Sequence, residues 1–147
     1  NSMKNTIYPC LWFDNQALEA AKFYCGIFKN SKITTNTPMV VHFEVNGYKL
    51  MGLNGGPQFK FNEAISLVID CKDQDEVDYY WNHLTAMGGS ESMCGWLKDK
   101  YGVSWQIVPT ALSQLMSGDQ DKAKQVMNAL LKMKKLDIAQ LEAAYNQ

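Results

Sequence analysis

At 147 residues, the chain has the length of one compact domain that buries about 68–70% of its unfolded surface. Its 46% hydrophobic and 20% charged residues are ordinary for a soluble globular protein. The net charge of −1, with acids and bases interspersed, leaves no electrostatic footprint for nucleic acid or an anionic membrane surface, and no apolar run nears the ~18 residues of a membrane span.

The first residues, "NSMKNTIYP", carry no apolar signal segment. Asn1 and Ser2 resemble an expression remnant, so Met3 is the expected natural start. "NTIYPCLWFD" (5–14) follows, rich in β-branched and aromatic residues; it predicts a strand, with Asp14 and Asn15 suited to starting a helix. "ALEAAKFYCGIF" then places Leu18, Ala21, Cys25 and Phe28 on one helical face, with Tyr24 beside them. After "KNSKI" come "MVVHFEV" (39–45), Asn46-Gly47 and "YKLMGL" (48–53), the strongest short signal for a hairpin.

The pattern then restarts. "AISLVIDC" (64–71) predicts a strand and "DQDEVDYYWNHLTAM" (73–87) a helix, with Val77, Tyr80, Trp81, Leu84 and Met87 on one face. Asp73 and Glu76 form a capping arrangement at its start. "MCGWLKD" (93–99) and "VSWQIVP" (103–109) make a second hairpin with Gly102 at its turn. Val103, Trp105 and Ile107 face a core, which leaves Gln106 on the opposite face. Asn46-Gly47 and Tyr101-Gly102 lie 55 residues apart, at the same place in two β-α-β-β-β units joined by "NGGPQFKFN".

A helical tail completes the chain. Ala123, Val126, Met127, Leu130 and Met133 recur at helical spacing, "KMKK" (132–135) complements that helix's C-terminal dipole, and Asp137 with Gln140 caps a last helix, "IAQLEAAY". The expected fold class is α+β: two modules (about 5–54 and 63–109) forming a curled mixed-sheet cup, with a tail over 110–147, in a single domain. Cys10, Cys25, Cys71 and Cys94 form no C-x-x-C pair and read as reduced, mostly buried thiols of a cytoplasmic protein.

The strings "ALEAAKFYCGIF", "GYKLMGLNGGPQFKFNEAISL", "CGWLKDKYGVSWQIVP" and "AKQVMNALLKMKKLDIAQLEAAY" span nearly the whole chain. They resemble the vicinal oxygen chelate superfamily of glyoxalase, bleomycin-resistance and fosfomycin-resistance proteins. The resemblance is closer to its PhnB-like branch, whose members are often labelled 3-demethylubiquinone-9 3-methyltransferase. In the superfamily's metal enzymes, ligands come from the first and fourth strand of each module, a geometry suited to an open metal site. The matching positions are Tyr8, Met51 (or Leu50), Ala64 and Gln106, where metal-binding members have Glu. The surrounding strings hold no His, Asp, Glu or Cys except Cys10, while Glu63 and Asp70 lie at the ends of the fifth strand. The resemblance therefore implies a member that binds no metal and needs no cofactor. Gln106 would keep a polar group in the cavity, or would merely satisfy a neighbouring group.

If Tyr8 and Gln106 point inward, period 2 brings Cys10, Trp12, Ser66 and Ser104 with them. His42 and Glu44 oppose Val41, Phe43 and Val45, and Trp96 with Lys98 is expected to join the same lining beside Met51. The expected site is an aromatic cup for a small molecule. His42 and Glu44 are either a base and its orienter or a strand histidine beside a surface acid. Cys10 is a candidate nucleophile but reads better as a buried thiol. His83 reads as exposed, and "NGGP" as a linker turn more than an anion nest.

Two further readings stand beside a metal-free small-molecule binder or cofactor-independent enzyme: a drug-sequestering protein, and a methyltransferase or metal-dependent enzyme. No G-x-G turn supports a nucleotide-type methyltransferase. A homodimer is expected, because each module offers an open sheet edge, and neither nucleic acid nor membrane is an expected partner.

Overall fold

The computed structural model describes residues 5–147, so the expected start at Met3 lies outside the described residues. The chain divides into two compact units, up to Phe61 and from Asn62 onward.

The first unit holds β1 (Cys10–Phe13), α1 (Ala17–Ile27), β2 (Lys32–Asn36), β3 (Val40–Val45) and β4 (Tyr48–Asn54). They form an open four-stranded sheet in the order β1-β4-β3-β2, with β1 parallel to β4 and the other pairs antiparallel. β1 starts later than the composition suggests, because Pro9 has no N–H to give a ladder. Its carbonyl still accepts from Met51 N at 3.0 Å. At the hairpin turn, Asn46 (φ 50) and Gly47 (φ 83) both take the positive φ of a type I′ turn.

α1 buries Ala17, Ala20, Ala21, Tyr24 and Ile27; of the expected face Ala21, Tyr24 and Phe28 are buried, while Leu18 and Cys25 are only half-buried. The cause is close approach. A Cβ on Gly52 of β4 would sit 3.1 Å from Ala17 Cβ, so the helix presents its alanines to the sheet. The helix start also differs from expectation. Gln16 is the capping position and its side chain does not cap; Asn54 of β4 accepts from Ala17 N at 2.9 Å instead.

The second unit repeats this plan with β5 (Leu67–Cys71), α2 (Gln74–Thr85), β6 (Ser90–Glu91), β7 (Trp96–Lys98) and β8 (Ser104–Pro109), in the order β5-β8-β7-β6 with β5 parallel to β8. Asp73 accepts from Glu76 N at 2.9 Å, and Glu76 Oε1 accepts from Lys72 N at 2.8 Å. This is a capping box whose return bond falls one residue early. Val77, Trp81 and Leu84 are buried as expected, but Met87 is 79% exposed. The helix has ended at Thr85 and Met87 itself takes φ 59, which turns it off the apolar face.

The β7–β8 turn is built on Asp99, only 2% exposed. Its Oδ1 accepts from Tyr101 N (2.9 Å) and Val103 N (3.1 Å), and its Oδ2 accepts from Trp105 Nε1 (2.9 Å). Val103, Trp105 and Ile107 are buried, as the alternation predicts.

The tail has three helices: α3 (Ala111–Met116), α4 (Gln120–Leu130) and α5 (Ile138–Tyr145), the last capped by Asp137 as expected. Val126, Met133, Leu136 and Leu141 form their core, with Leu112, Leu115 and Met116 of α3 against it. Met127 points outward, 36% exposed. "KMKK" lies beyond the end of α4 rather than in its last turn, and Lys135 Nζ bonds Asp78 Oδ1 at 2.8 Å. Gln74 fixes the tail from both sides, donating to Leu136 O (3.0 Å) and accepting from Ile138 N (2.8 Å). Met133 O and Lys134 O also accept from Cys94 N (2.7 Å) and Gly95 N (2.8 Å).

The four cysteines are free, but only Cys71 is buried, and Cys10 is exposed, which corrects the buried-thiol expectation. Burial, with the Glu76, Asp70 and Asp73 carboxylates adding to it, pushes the Cys71 thiol up to about 12. Among the described residues no helix is long and apolar enough to cross a membrane.

Candidate functional site

In each module the helix covers one sheet face and leaves the other without a helix of its own module. In the first sheet, Leu11, Phe13, Val41, Phe43, Val45 and Leu50 are buried on the α1 side. Pleating sends their neighbours to the opposite face. Register aligns Cys10 with Met51 and Met51 with His42, and aligns Trp12 with Leu53. Glu44 stands opposite Lys49 on β4 and Lys32 on β2. Tyr8 lies over the same face, its ring 4.1 Å from Lys49 Nζ and 6.1 Å, edge-on, from the His42 ring. Tyr8, Cys10, Trp12, His42, Glu44 and Met51 thus share one surface. Register also decides between the two fourth-strand positions, since Met51 lies on this face and Leu50 is in the core.

Trp12 is held by the segment after β4. Its Nε1 donates to Gly56 O at 2.9 Å, and its ring meets Phe59 edge-on at 4.9 Å. Any Cβ on Gly55 would clash with the Trp12 ring. The amides of Gly55 and Gly56 both donate to Phe13 O, at 3.0 and 3.3 Å, so "NGGP" is a linker turn with those amides already engaged. His42 Nδ1 is enclosed without a hydrogen-bond partner among the described residues. No hydrogen bond links His42 to Glu44 among them, so the two do not form a base–orienter pair in this arrangement.

In the second sheet Val68 pairs with Gln106 and Gln106 with Trp96, while Ser104 pairs with Lys98. Gln106 Nε2 donates to Ser66 Oγ at 3.0 Å. Ser66, Trp96, Lys98 and Gln106 therefore share the face away from α2. Ala64 does not: β5 begins at Leu67, and Ala64 is an exposed turn residue. Lys98 Nζ pairs with Glu63 Oε2 at 3.0 Å, and this lysine beside it holds the Glu63 carboxyl below the usual carboxylate range. His83 is exposed, as expected, its Nδ1 2.8 Å from Tyr79 O.

Three features escape the sequence reading. Phe59 abuts Trp12 from a segment read only as linker. Ser104 is 1% exposed and its Oγ has no partner among the described residues. An open, mainly apolar depression of about 380 Å³ is lined by Asp70, Val108, Pro109, Thr110, Leu112, Ser113 and Met116. The apolar spacing of Leu112, Leu115 and Met116 in "PTALSQLM" was the available signal for the helix α3 that walls it.

Paired β-α-β-β-β modules, each a four-stranded mixed sheet with one helix-free face, define the glyoxalase/bleomycin-resistance class of fold. Solved structures agree with that class. A glyoxalase-related enzyme from Fulvimarina pelagi is 15% identical, with 75% of this chain and 91% of that chain covered and a TM-score of 0.53. The fosfomycin resistance protein FosX from Listeria monocytogenes, complexed with Mn(II) and sulfate, is 14% identical, covering 78% and 97% of the two chains at a TM-score of 0.56. The PhnB protein from Bacillus cereus, described as a 3-demethylubiquinone-9 3-methyltransferase, is 30% identical over 72% of this chain and 100% of that chain, with a TM-score of 0.65. The profile of the 3-demethylubiquinone-9 3-methyltransferase family matches residues 5–108, and the chain belongs to this PhnB-like family of the vicinal oxygen chelate superfamily. No curated protein matches the chain.

The superfamily's metal does not fit the residues present. Among the described residues no three His, Cys, Asp or Glu side chains cluster to hold an ion. In the first module Tyr8 and Met51 offer a phenol and a thioether, and in the second Ser66 and Gln106 offer a hydroxyl and an amide. None of these positions carries an imidazole or a carboxylate, and although His42, Glu44 and Cys10 share the first module's face they do not cluster to hold an ion among the described residues, so the donors are poor for a divalent transition metal.

Proposed function

We propose that the protein binds small organic molecules on the helix-free face that each module carries, without a metal or cofactor. The two modules would act as one domain, in a cytoplasmic homodimer. The observation that carries this reading is that Tyr8, Cys10, Trp12, His42, Glu44 and Met51 line one such face, and Ser66, Trp96, Lys98 and Gln106 line the other. Aromatic surface with a few polar groups is the usual make-up of a small-molecule site. The dimer is supported by exposed apolar residues beside or on the edge strands: Ile7 (96%), Ile65 (65%) and Val68 (56%).

A screen of organic fragments read by indole fluorescence tests the binding reading. Trp96→Ala should weaken any hit by about 1–3 kcal/mol. A hit that binds equally well to Trp12→Ala, Trp96→Ala and Gln106→Ala variants would refute the placement. Turnover of a hit would make the protein a cofactor-independent enzyme; tight binding without turnover would make it a drug-sequestering protein. The family's name favours a second reading, methyl transfer, which calorimetry with S-adenosylmethionine tests directly. Neither module has the glycine-rich turn between strand and helix that such a nucleotide site uses.

A further inference from the structure

The helix-free face of the second sheet carries a polar group with no role in the fold. Ser104 is 1% exposed and its Oγ has no hydrogen-bond partner among the described residues, a cost that folding does not offset locally. Directly across the ladder stands Lys98, and opposed side chains of this kind lie with their Cβ atoms roughly 4.5–5.5 Å apart. Two residues along β7, Trp96 shares that face and pairs with Gln106. The face therefore sets a cation, an unsatisfied hydroxyl and an indole side by side.

The cation is already occupied by a residue that can leave. Glu63 belongs to the exposed turn before β5, and its carboxylate sits 3.0 Å from Lys98 Nζ with 65% of its side chain in solvent. Exposed ion pairs of this kind contribute little stability. Glu63 offers Lys98 the same group that an incoming acid would offer.

We propose that Lys98, Ser104 and Trp96 form a subsite for an aromatic carboxylate, in which Glu63 is an internal stand-in that the ligand displaces. Lys98 takes the ligand's carboxylate, Ser104 Oγ donates its free hydrogen bond to it, and Trp96 packs against the ring. This inference rests on the small-molecule reading above and gives it a chemical class.

The test uses benzoate and its uncharged isostere benzamide, titrated onto the full chain and followed by the NMR signals of the Trp96 indole and the Gln106 amide. Benzoate should shift both signals and bind roughly tenfold tighter than benzamide. Glu63→Gln should tighten benzoate several-fold and leave benzamide unchanged, because only the acid competes with Glu63. Lys98→Met should abolish the preference for the acid. Ser104→Ala should weaken benzoate without lowering the unfolding midpoint, since it removes a buried hydroxyl with no partner among the described residues. Equal binding of the two compounds at Trp96, or a Glu63→Gln variant with unchanged benzoate affinity, overturns the carboxylate subsite while the small-molecule reading stands. No shift at Trp96 with either compound, up to their solubility limits, likewise overturns the subsite, while the fragment screen decides the small-molecule reading separately.

Discussion

Replacing Asp99 by Ala should be among the most damaging single changes in the second module. The substitution leaves three donors unanswered: Tyr101 N, Val103 N and Trp105 Nε1, now bonded at 2.9, 3.1 and 2.9 Å. Val103 and Trp105 are 5% and 3% exposed, so water does not reach them to compensate. Each buried donor left unpaired costs about 1–3 kcal/mol, whereas Tyr101 N, in a half-buried turn, recovers part of its bond from solvent. The sum is about 3–5 kcal/mol, a large part of the roughly 5–15 kcal/mol that holds a domain together. With a urea slope of about 2 kcal/mol/M, the unfolding midpoint should fall by roughly 2 M. Asp99→Asn keeps one carbonyl oxygen and should cost about half as much, because one acceptor position becomes an NH₂ facing a donor. Equilibrium urea unfolding followed by tryptophan fluorescence measures both variants. An Asp99→Ala loss below about 1 kcal/mol would refute the reasoning, since it would mean the turn closes without its carboxylate.

An aromatic disulfide reagent at mildly alkaline pH should label the exposed Cys10 and leave the buried Cys71 untouched until the chain unfolds. Because Cys71 titrates near 12 when folded against 9.0 in its ordinary state, the unfolded chain loses that proton first, so this thiol lowers stability as pH rises between those values. Urea midpoints of wild type and Cys71→Ser compared across that range check the sign. Asp78, its carboxyl held down chiefly by the hydrogen bond from Lys135 and then by that from Gln74, contributes stability above the ordinary carboxylate pKa and loses it as pH falls through the lower folded value. The pair is partly exposed, so Asp78→Asn should cost less than about 1 kcal/mol at neutral pH, and the difference should vanish in acid. Gln106→Glu should fold, with Ser66 Oγ now donating to the carboxylate, and elemental analysis after loading with Zn or Mn should still find far less than one ion per chain.

Most of this architecture is legible in the sequence because it is written in short-range terms. Asn46-Gly47 specifies its turn by φ alone, and Val103, Trp105 and Ile107 specify a buried face by alternation. Those two signals, repeated at a fixed interval, expose both modules. The helix-free candidate faces follow from the same pleat, which is why Trp12, His42 and Gln106 lie on the faces that period 2 gives them. What stays hidden depends on contacts distant in sequence. The buried face of α1 is set by Gly52, a strand residue that admits Ala17 and so turns Leu18 aside. The start of that helix is capped by Asn54, which follows it by 37 positions. Ser104 falls on the face that period 2 gives it, but neither its hydroxyl's lack of a partner among the described residues nor the Glu63–Lys98 ion pair leaves a local pattern.

The family profile ends at residue 108, while Gln74, inside it, grips the main chain at Leu136 and Ile138. Together with Cys94 and Gly95, it bonds four backbone groups of the tail, beside the Lys135–Asp78 ion pair and the Leu136 side chain packed near Gly95. Such a joint is indifferent to spelling. Lys134 could drift to almost any residue and the joint would persist, provided the chain kept its path and Leu136 kept its place in the core. The extension behaves as a graft held largely by its peptide groups, which leaves the outer surfaces of its helices free to change without loosening their root.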